Sequence, residues 1–559
     1  MLRKLFTVVF AIIVAATVTE SVAQVNAVQF GRNRLQYKKF KYKFYQSPNF
    51  NTYVTDGGTE LGKFSSQLAE AELPQIEKQI EYSLQRRIDL VVYNNYDEYK
   101  QSNIGLGIDW QNPGGITKLV NNKLIVYFDG NHNNLRLQIR EGIARVLVEN
   151  LLFGDNIGEI ASNQALLDLP KWITDGYVQY IAQPWSTQLD DQLKSAILGG
   201  SYNNFYQFVF HKPNLAGHAF WYYIADKYKP ESVSYFLYLA RIYKSLNSAS
   251  LKVCRKKFKE VLDEFMEFQE NKYNNDIRQR RNAPKGTLSV TEDITESDFF
   301  RFQANPNPRN NNYAVVEFYK GIYTAKLVEN FYETTTLLKQ GVKTRQGDIN
   351  PNLPILAWDP KGTRVLVIYW EKGKTRMFVY DVVGKYRRNK QVLDQFEQVL
   401  DASFMLDANT IVLSAVKNGH SDIFIYKIEE QKLTQITNDV YDDLNPTFVS
   451  FPNRSGIIFS SNRPGNNAPN ADTVLPSNYR FNIYLVDIFN NTATKQVSQL
   501  TNLKVGDAKY PMQYNTNHFT FVSDANGIAN RWAGFFSTKR DGLDTLYYIG
   551  DELLRNPSP

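Results

Sequence analysis

One texture returns along the second half of the chain, and it restricts the possible folds more than any other feature. "LPILAWDPKGTRVLVIYW" (353–370) matches "NPTFVSFPNRSGIIFSSN" (445–462), with Pro354 and Pro360 set against Pro446 and Pro452 at equal separation. "DASFMLDANTIVLSAV" (401–416) and "YPMQYNTNHFTFVSD" (510–524) are weaker copies. The strands that follow also align, "RMFVYDVV" (376–383) with "DIFIYKIE" (422–429) and "FNIYLVDI" (481–488), as do the closing segments "KLTQITND" (432–439) and "QVSQLTNL" (496–503). A repeat of about 45 residues holding four short strands makes a sheet with two apolar faces, which only neighbouring copies can cover. The spacing therefore predicts a β-propeller of five or six blades, with units starting near residues 313, 353, 401, 445 and 510. Residues 288–312 are offered as a strand for the last blade, and the fourth unit carries an insertion at 463–480.

The first half differs. Apolar residues fall at helical intervals over 60–87, 133–153, 163–183, 216–228, 230–245 and 249–273. Strands are expected at 39–46 and 88–93, and "GITKLV" and "KLIVYF" are expected to form a hairpin across Asn121-Asn122. The fold class is multidomain: an α+β domain, a small sheet plus a helical bundle, followed by an all-β propeller. The expected divisions are a signal peptide at 1–24, the α+β domain at 25–275, a linker and entry strand at 276–312, and the propeller at 313–559.

The signal peptide is read from Arg3 and Lys4, an apolar run from Leu5 to Val18, and the small-x-small site Ser21-Val22-Ala23. No cysteine stands at the cleavage site to take a lipid, and the single Cys254 excludes an intramolecular disulfide. An exported chain of this size without disulfides fits a bacterial periplasm. After the leader, no apolar run is long enough for a transmembrane span. Hydrophobic residues make up 43% of the chain and charged residues 22%, enough apolar material for large cores. The formal charge of +7 is spread along the chain, with local concentrations at "KKFKYK", "CRKKFK" and "RQRR". Solvated faces are the first reading of these runs and contact with anionic lipid or polymer the second. Nucleic acid is not an expected partner outside the cytoplasm.

"SDIFIYKIEEQKLTQITNDVYDDLNPTF", "GIIFSSNRPG" and "SDANGIANRW" resemble the blades of TolB-type propellers. That resemblance implies a periplasmic propeller that binds other proteins. In the first half, "GGITKLVNNKLIVYFDG" (114–130), the segment at 138–153 and "LPKWITDGYVQYIA" (169–182) resemble the peptidase MA-like, gluzincin group. The group's chemistry needs two neutral imidazoles four residues apart on one helix face, a glutamate beside the first, and a distant carboxylate as third ligand. The matching positions here are Arg140, Glu141, Ala144 and Asp175, so only the glutamate is kept. A guanidinium has no lone pair for zinc and an alanine has no donor. None of the five histidines, His132, His211, His218, His420 and His518, lies four residues from another.

No catalytic, cofactor-binding or metal-binding residue is therefore assigned. Glu141 is expected to pair with Arg145 along the helix, and a second arrangement has Arg140 in the vacated metal region pairing with Glu141 or Asp175. Leu135, Ile139, Ile143, Val146 and Leu147 form the expected core face, and Trp172 and Tyr177 are expected to pack. The function that follows is a non-catalytic periplasmic or outer-membrane-associated scaffold, bound to envelope or outer-membrane proteins such as a secretion or assembly complex. The competing readings are a zinc peptidase with unorthodox ligands, a glycan-active enzyme using propeller carboxylates, and an envelope polysaccharide-binding protein. Two polar stretches, 105–115 and 463–480, are candidate recognition loops.

Overall fold

The computed structural model describes residues 35–102, 122–154, 169–278 and 299–553, the last stretch without 331, 342–349, 351, 452–453, 467, 469–479, 489–496, 537–547 and 550–551. The leader, the loop 105–115, the first strand of the expected hairpin, most of the linker and most of the 463–480 insertion lie outside the described residues.

Among the described residues, the first half is built on a four-stranded mixed sheet. β1 (Tyr42–Gln46) runs antiparallel to β2 (Phe50–Thr55), which lies parallel to β3 (Ile88–Tyr93), which lies parallel to β4 (Lys123–Tyr127). Helix α1 (Thr59–Ile80) makes the crossover from β2 to β3, as a parallel pair requires. It stops seven residues short of the apolar pattern because Glu81 turns into the left-handed region and the Glu77 carboxylate takes the amide of Leu84. β4, the second strand of the expected hairpin, pairs with β3 in parallel register from Asp89↔Lys123 to Tyr93↔Tyr127.

Among the described residues the remaining helices are α2 (Tyr96–Gln101), α3 (His132–Phe153), α4 (Lys171–Ala182), α5 (Thr187–Leu198), α6 (Phe205–His211), α7 (Pro213–Tyr228), α8 (Glu231–Tyr243), α9 (Leu246–Val253) and α10 (Phe258–Ile277). The single helix expected over 249–273 is two helices. Cys254 ends α9, Arg255 has a positive φ of 59°, and the Glu260 carboxylate accepts the amide of Lys257 at 2.9 Å where the chain restarts as α10.

The second half is a succession of antiparallel meanders. β5 (Phe299–Ala304), β6 (Tyr313–Tyr319), β7 (Ile322–Glu329) and β8 (Glu333–Gly341) form the first sheet. β9 (Ile355–Trp358), β10 (Arg364–Glu371), β11 (Lys374–Asp381) and β12 (Tyr386–Val392) form the second. β13 (Gln398–Phe404), β14 (Thr410–Lys417), β15 (His420–Lys427) and β16 (Lys432–Gln435) form the third. β17 (Asp443–Phe451), β18 (Arg454–Ser461), β19 (Asn482–Val486) and β20 (Val497–Gln499) form the fourth. Among the described residues the fifth has three strands, β21 (Ala508–Gln513), β22 (His518–Ser523) and β23 (Asn530–Phe535), and β24 (Tyr548–Ile549) pairs with β25 (Glu552–Leu553).

The first strands β5, β9, β13, β17 and β21 lie side by side in that order, and apolar layers fill the spaces between successive sheets. β10 shows how one strand serves two layers. Val365 and Val367 face the first sheet, while Leu366 and Ile368 face the third, because side chains alternate across a strand. This stacking is what the repeat demanded. β5 pairs with β6 from Phe299↔Phe318 to Ala304↔Tyr313, so within 276–312 the residues 299–304 form a strand that opens the first sheet and is not one given to the last.

The two halves share a core. Leu400 on β13 and Val416 on β14 belong to the same buried cluster as Phe64, Phe128 and Leu135 of the first half. Gly130 has a φ of 93°, and a Cβ there would stand 2.3 Å from a methyl of Leu400, so both its conformation and its contact require glycine.

Candidate functional site

Helix α3 carries the degenerate motif in its middle and the junction between the halves at its start. Asn131 caps it, accepting the amide of Asn133 at 2.9 Å. The next free amide, that of His132, is taken from across the junction by Asp442 Oδ2 at 2.9 Å, while Asp442 Oδ1 lies 2.6 Å from His132 Nδ1. Both side chains are buried. A carboxylate at a helix N-terminus is favoured by the orphan amides and the helix dipole, and Asn462 fixes it further by donating to Oδ2 at 3.0 Å. His420 stands 6.2 Å from His132, ring to ring, and burial, then the neighbouring His132, pushes its pKa down.

Two turns along, Arg140 is buried. Its partner is Glu72 of α1, to which Nη1 donates, and not Glu141 or Asp175. Nε donates to the carbonyl of Ala182 at 2.6 Å and Nη2 to that of Ile181 at 2.9 Å. These are the last carbonyls of α4, so the guanidinium caps that helix from the side. Glu72 also accepts from Arg136 Nε at 2.5 Å. The two remaining acids of the motif share one cation: Arg145 donates to Glu141 at 3.2 Å and to Asp175 Oδ1 at 2.7 Å, and Lys171 stands 3.8 Å from the second oxygen of Asp175. Ala144 is wholly buried.

This donor set does not fit zinc. The four positions offer no imidazole, and the two carboxylates are held by a guanidinium. Leu135, Ile139, Ile143, Val146 and Leu147 are all buried, and Trp172 packs against Phe205, Phe220 and Phe258. Tyr177 is buried with its hydroxyl 3.2 Å from that of Ser234. Tyr180 is half-buried. α4 and α7 cross at Gly176 and Gly217, where a Cβ on Gly176 would stand 2.4 Å from the backbone of Gly217. Cys254 is buried, and burial pushes its thiol up to about 11, away from the thiolate that a nucleophile needs.

Beside the junction lies a polar cavity of about 280 Å³ lined by residues of both halves, among them Lys38, Asp97, Glu98, Asn350 and Glu397. Glu98 is satisfied by Lys38, by the Thr55 hydroxyl at 2.8 Å and by the amide of Asn94 at 3.3 Å. Asp97 accepts from Asn350 Nδ2 at 2.8 Å, yet burial pushes its pKa up to about 7. Burial also raises Glu397. Further hydrogen bonds bind the halves: Asn95 to the carbonyl of Glu397, Gln398 to that of Phe128, and Ser421 to that of Gly130, at 2.9, 3.0 and 2.6 Å.

Three carboxylates of the second half, Asp422, Asp439 and Asp443, bring oxygens within 4.8 Å of one another. A cation of the chain itself answers them. Arg463 Nη2 donates to both oxygens of Asp443 at 2.7 Å and stands 3.0 Å from Asp439.

Residue spacing pointed to the right region of α3 but missed the partners that matter there. Glu72 had a visible signal, since it falls in step with Ser65, Leu68 and Ile76 on the buried side of α1, and a lone carboxylate in such a stripe calls for a buried cation. Asp442, 310 residues from His132, had none.

No known protein family matches the chain. A stretch of 90 residues is 31% identical to the Tol-Pal system protein TolB of Ruthia magnifica subsp. Calyptogena magnifica, covering 15% of this chain and 20% of that protein. The chain thus spans about a fifth of the length of the curated relative it matches. Among solved structures, TolB from Acinetobacter baumannii aligns with 48% of this chain and 54% of its own at 15% identity, with a TM-score of 0.27. An uncharacterised protein from Listeria monocytogenes EGD-e aligns with 45% of this chain and 70% of its own at 11% identity, with a TM-score of 0.26.

Proposed function

We propose that the chain is a non-catalytic scaffold of the bacterial envelope, exported by residues 1–24, in which a peptidase-like α+β domain (25–275) is joined through 276–312 to a TolB-like propeller (313–559). The observation that carries this reading is the 31% identity to TolB over 90 residues, beside a second half whose repeated sheets stack as blades do. The α+β half adds a rigid body and no chemistry: Arg140 caps a helix, and Arg145 holds Glu141 and Asp175. The partner is another envelope protein, bound in the periplasm or at the outer membrane.

Metal loading separates this function from the peptidase alternative. After exposure to zinc and desalting, the purified chain and its Glu141→Gln and Asp175→Asn variants are expected to carry equally little zinc and to leave an unfolded protein substrate uncut. Near-stoichiometric zinc that disappears in Asp175→Asn would overturn the scaffold reading. Photo-crosslinkers placed on the blade loops in cells are expected to give discrete adducts with envelope proteins; adducts only with glycan would favour the polysaccharide-binding alternative.

A further inference from the structure

One stretch of the chain combines basic charge with exposed apolar side chains. Between residues 227 and 259 there are nine lysines and arginines and one acid, Glu231, so this segment alone exceeds the +7 of the whole chain. It runs from the end of α7 through α8 and α9 to the start of α10. Lys227 and Lys256 bracket Glu264, whereas Lys244, Lys252 and Lys259 are exposed.

The same segment exposes apolar side chains where a helix normally presents polar ones. α8 buries Val233, Phe236, Leu237 and Ala240, and its opposite side carries Tyr235, Tyr238 and Ile242, which are 52%, 48% and 52% exposed. Spacings of three and four residues put these three on one stripe. Tyr243 at the end of α8 and Leu251 on the adjoining α9 are exposed as well. Solvated helix faces do not need such residues, and a cluster of them marks a contact surface.

From these two observations we infer that the α8–α9 face docks on an anionic phospholipid surface. Aromatic rings with polar tips sit at the depth of lipid headgroups, and lysines reach the phosphates while their stems lie along the apolar boundary. The charge selects a negative leaflet over a neutral one. Docking on a surface needs no spanning segment, and among the described residues no helix is long and apolar enough to cross a membrane.

The test is co-sedimentation of the full chain with vesicles of phosphatidylcholine alone or of equimolar phosphatidylcholine and phosphatidylglycerol. Binding to the anionic vesicles, little to the neutral ones, and release by salt are expected. Each juxtamembrane cation contributes about a fivefold change in partitioning, so a Lys244→Gln, Lys252→Gln, Lys259→Gln triple variant should bind on the order of a hundredfold more weakly. A Tyr235→Ser, Tyr238→Ser variant should bind more weakly at every salt concentration, with an unchanged melting curve showing that the fold survives. Equal binding to both vesicle types, no binding to either, or full binding by the triple variant would overturn the inference.

Discussion

Replacing Glu72 tests whether the arginine at the motif's first ligand position has become structural. Glu72 and Arg140 are both buried, and Arg140 has three acceptors: Glu72 and the carbonyls of Ile181 and Ala182. Glu72→Leu leaves a buried guanidinium without its counter-charge, a change that costs about 3–5 kcal/mol. Arg140→Met is milder, because Glu72 keeps Arg136 and the loss is two charge-assisted bonds to carbonyls, about 2–3 kcal/mol together. In the double variant the two charges of the pair leave together and apolar volume replaces them, so only the uncapped carbonyls remain, the same loss of about 2–3 kcal/mol. The double-mutant cycle should therefore show a coupling of about 3 kcal/mol or more, read from urea unfolding followed by far-ultraviolet circular dichroism. Additive losses would refute the reasoning, for they would mean that Arg140 is no counter-ion to Glu72. Glu141→Gln is the control, expected to cost under about 1 kcal/mol because its partner Arg145 is partly solvated.

Two further outcomes follow from the junction and from α7. Asp442→Leu removes the acceptor of the His132 amide, so hydrogen exchange at that amide should quicken on the order of a hundredfold while the centre of α3 stays protected; unchanged exchange would show that Asp442 does not cap the helix. Burial lowers the pKa of His218 from 6.5 to about 4, so the unfolded chain binds the proton more readily between those values. The stability of neutral His218 is then complete above about pH 6.5 and lost as the pH falls towards 4, about 3 kcal/mol in all. His218→Leu should flatten that acid limb, and an unaltered slope in pH-dependent urea melts would refute the assignment.

The parts legible in the residues are those set by short-range periodicity. Pro354 and Pro360 recur at 446 and 452 in step with the repeat, and Val365 to Ile368 form an unbroken apolar run because β10 buries both its faces. The α3 core face and the Glu141–Arg145 pair are likewise fixed by spacings of three and four residues along one helix. Boundaries were less legible. Helix α1 ends where Glu77 captures an amide seven residues on, and the 249–273 pattern splits where Arg255 turns left-handed, while apolar spacing continues through both points.

The sequence by itself determined that the second half must stack repeated sheets, since four-stranded units with two apolar faces cannot stand alone, and that positions 140 and 144 cannot bind zinc, since neither side chain has a lone pair to give. The tertiary structure decided where the charges go. Arg140 could have met Glu141 or Asp175, yet α1 brings Glu72 to it, and the second half brings Asp442 to the start of α3. Buried ions take partners from whichever elements pack around them, and packing joins residues that are hundreds of positions apart in the chain.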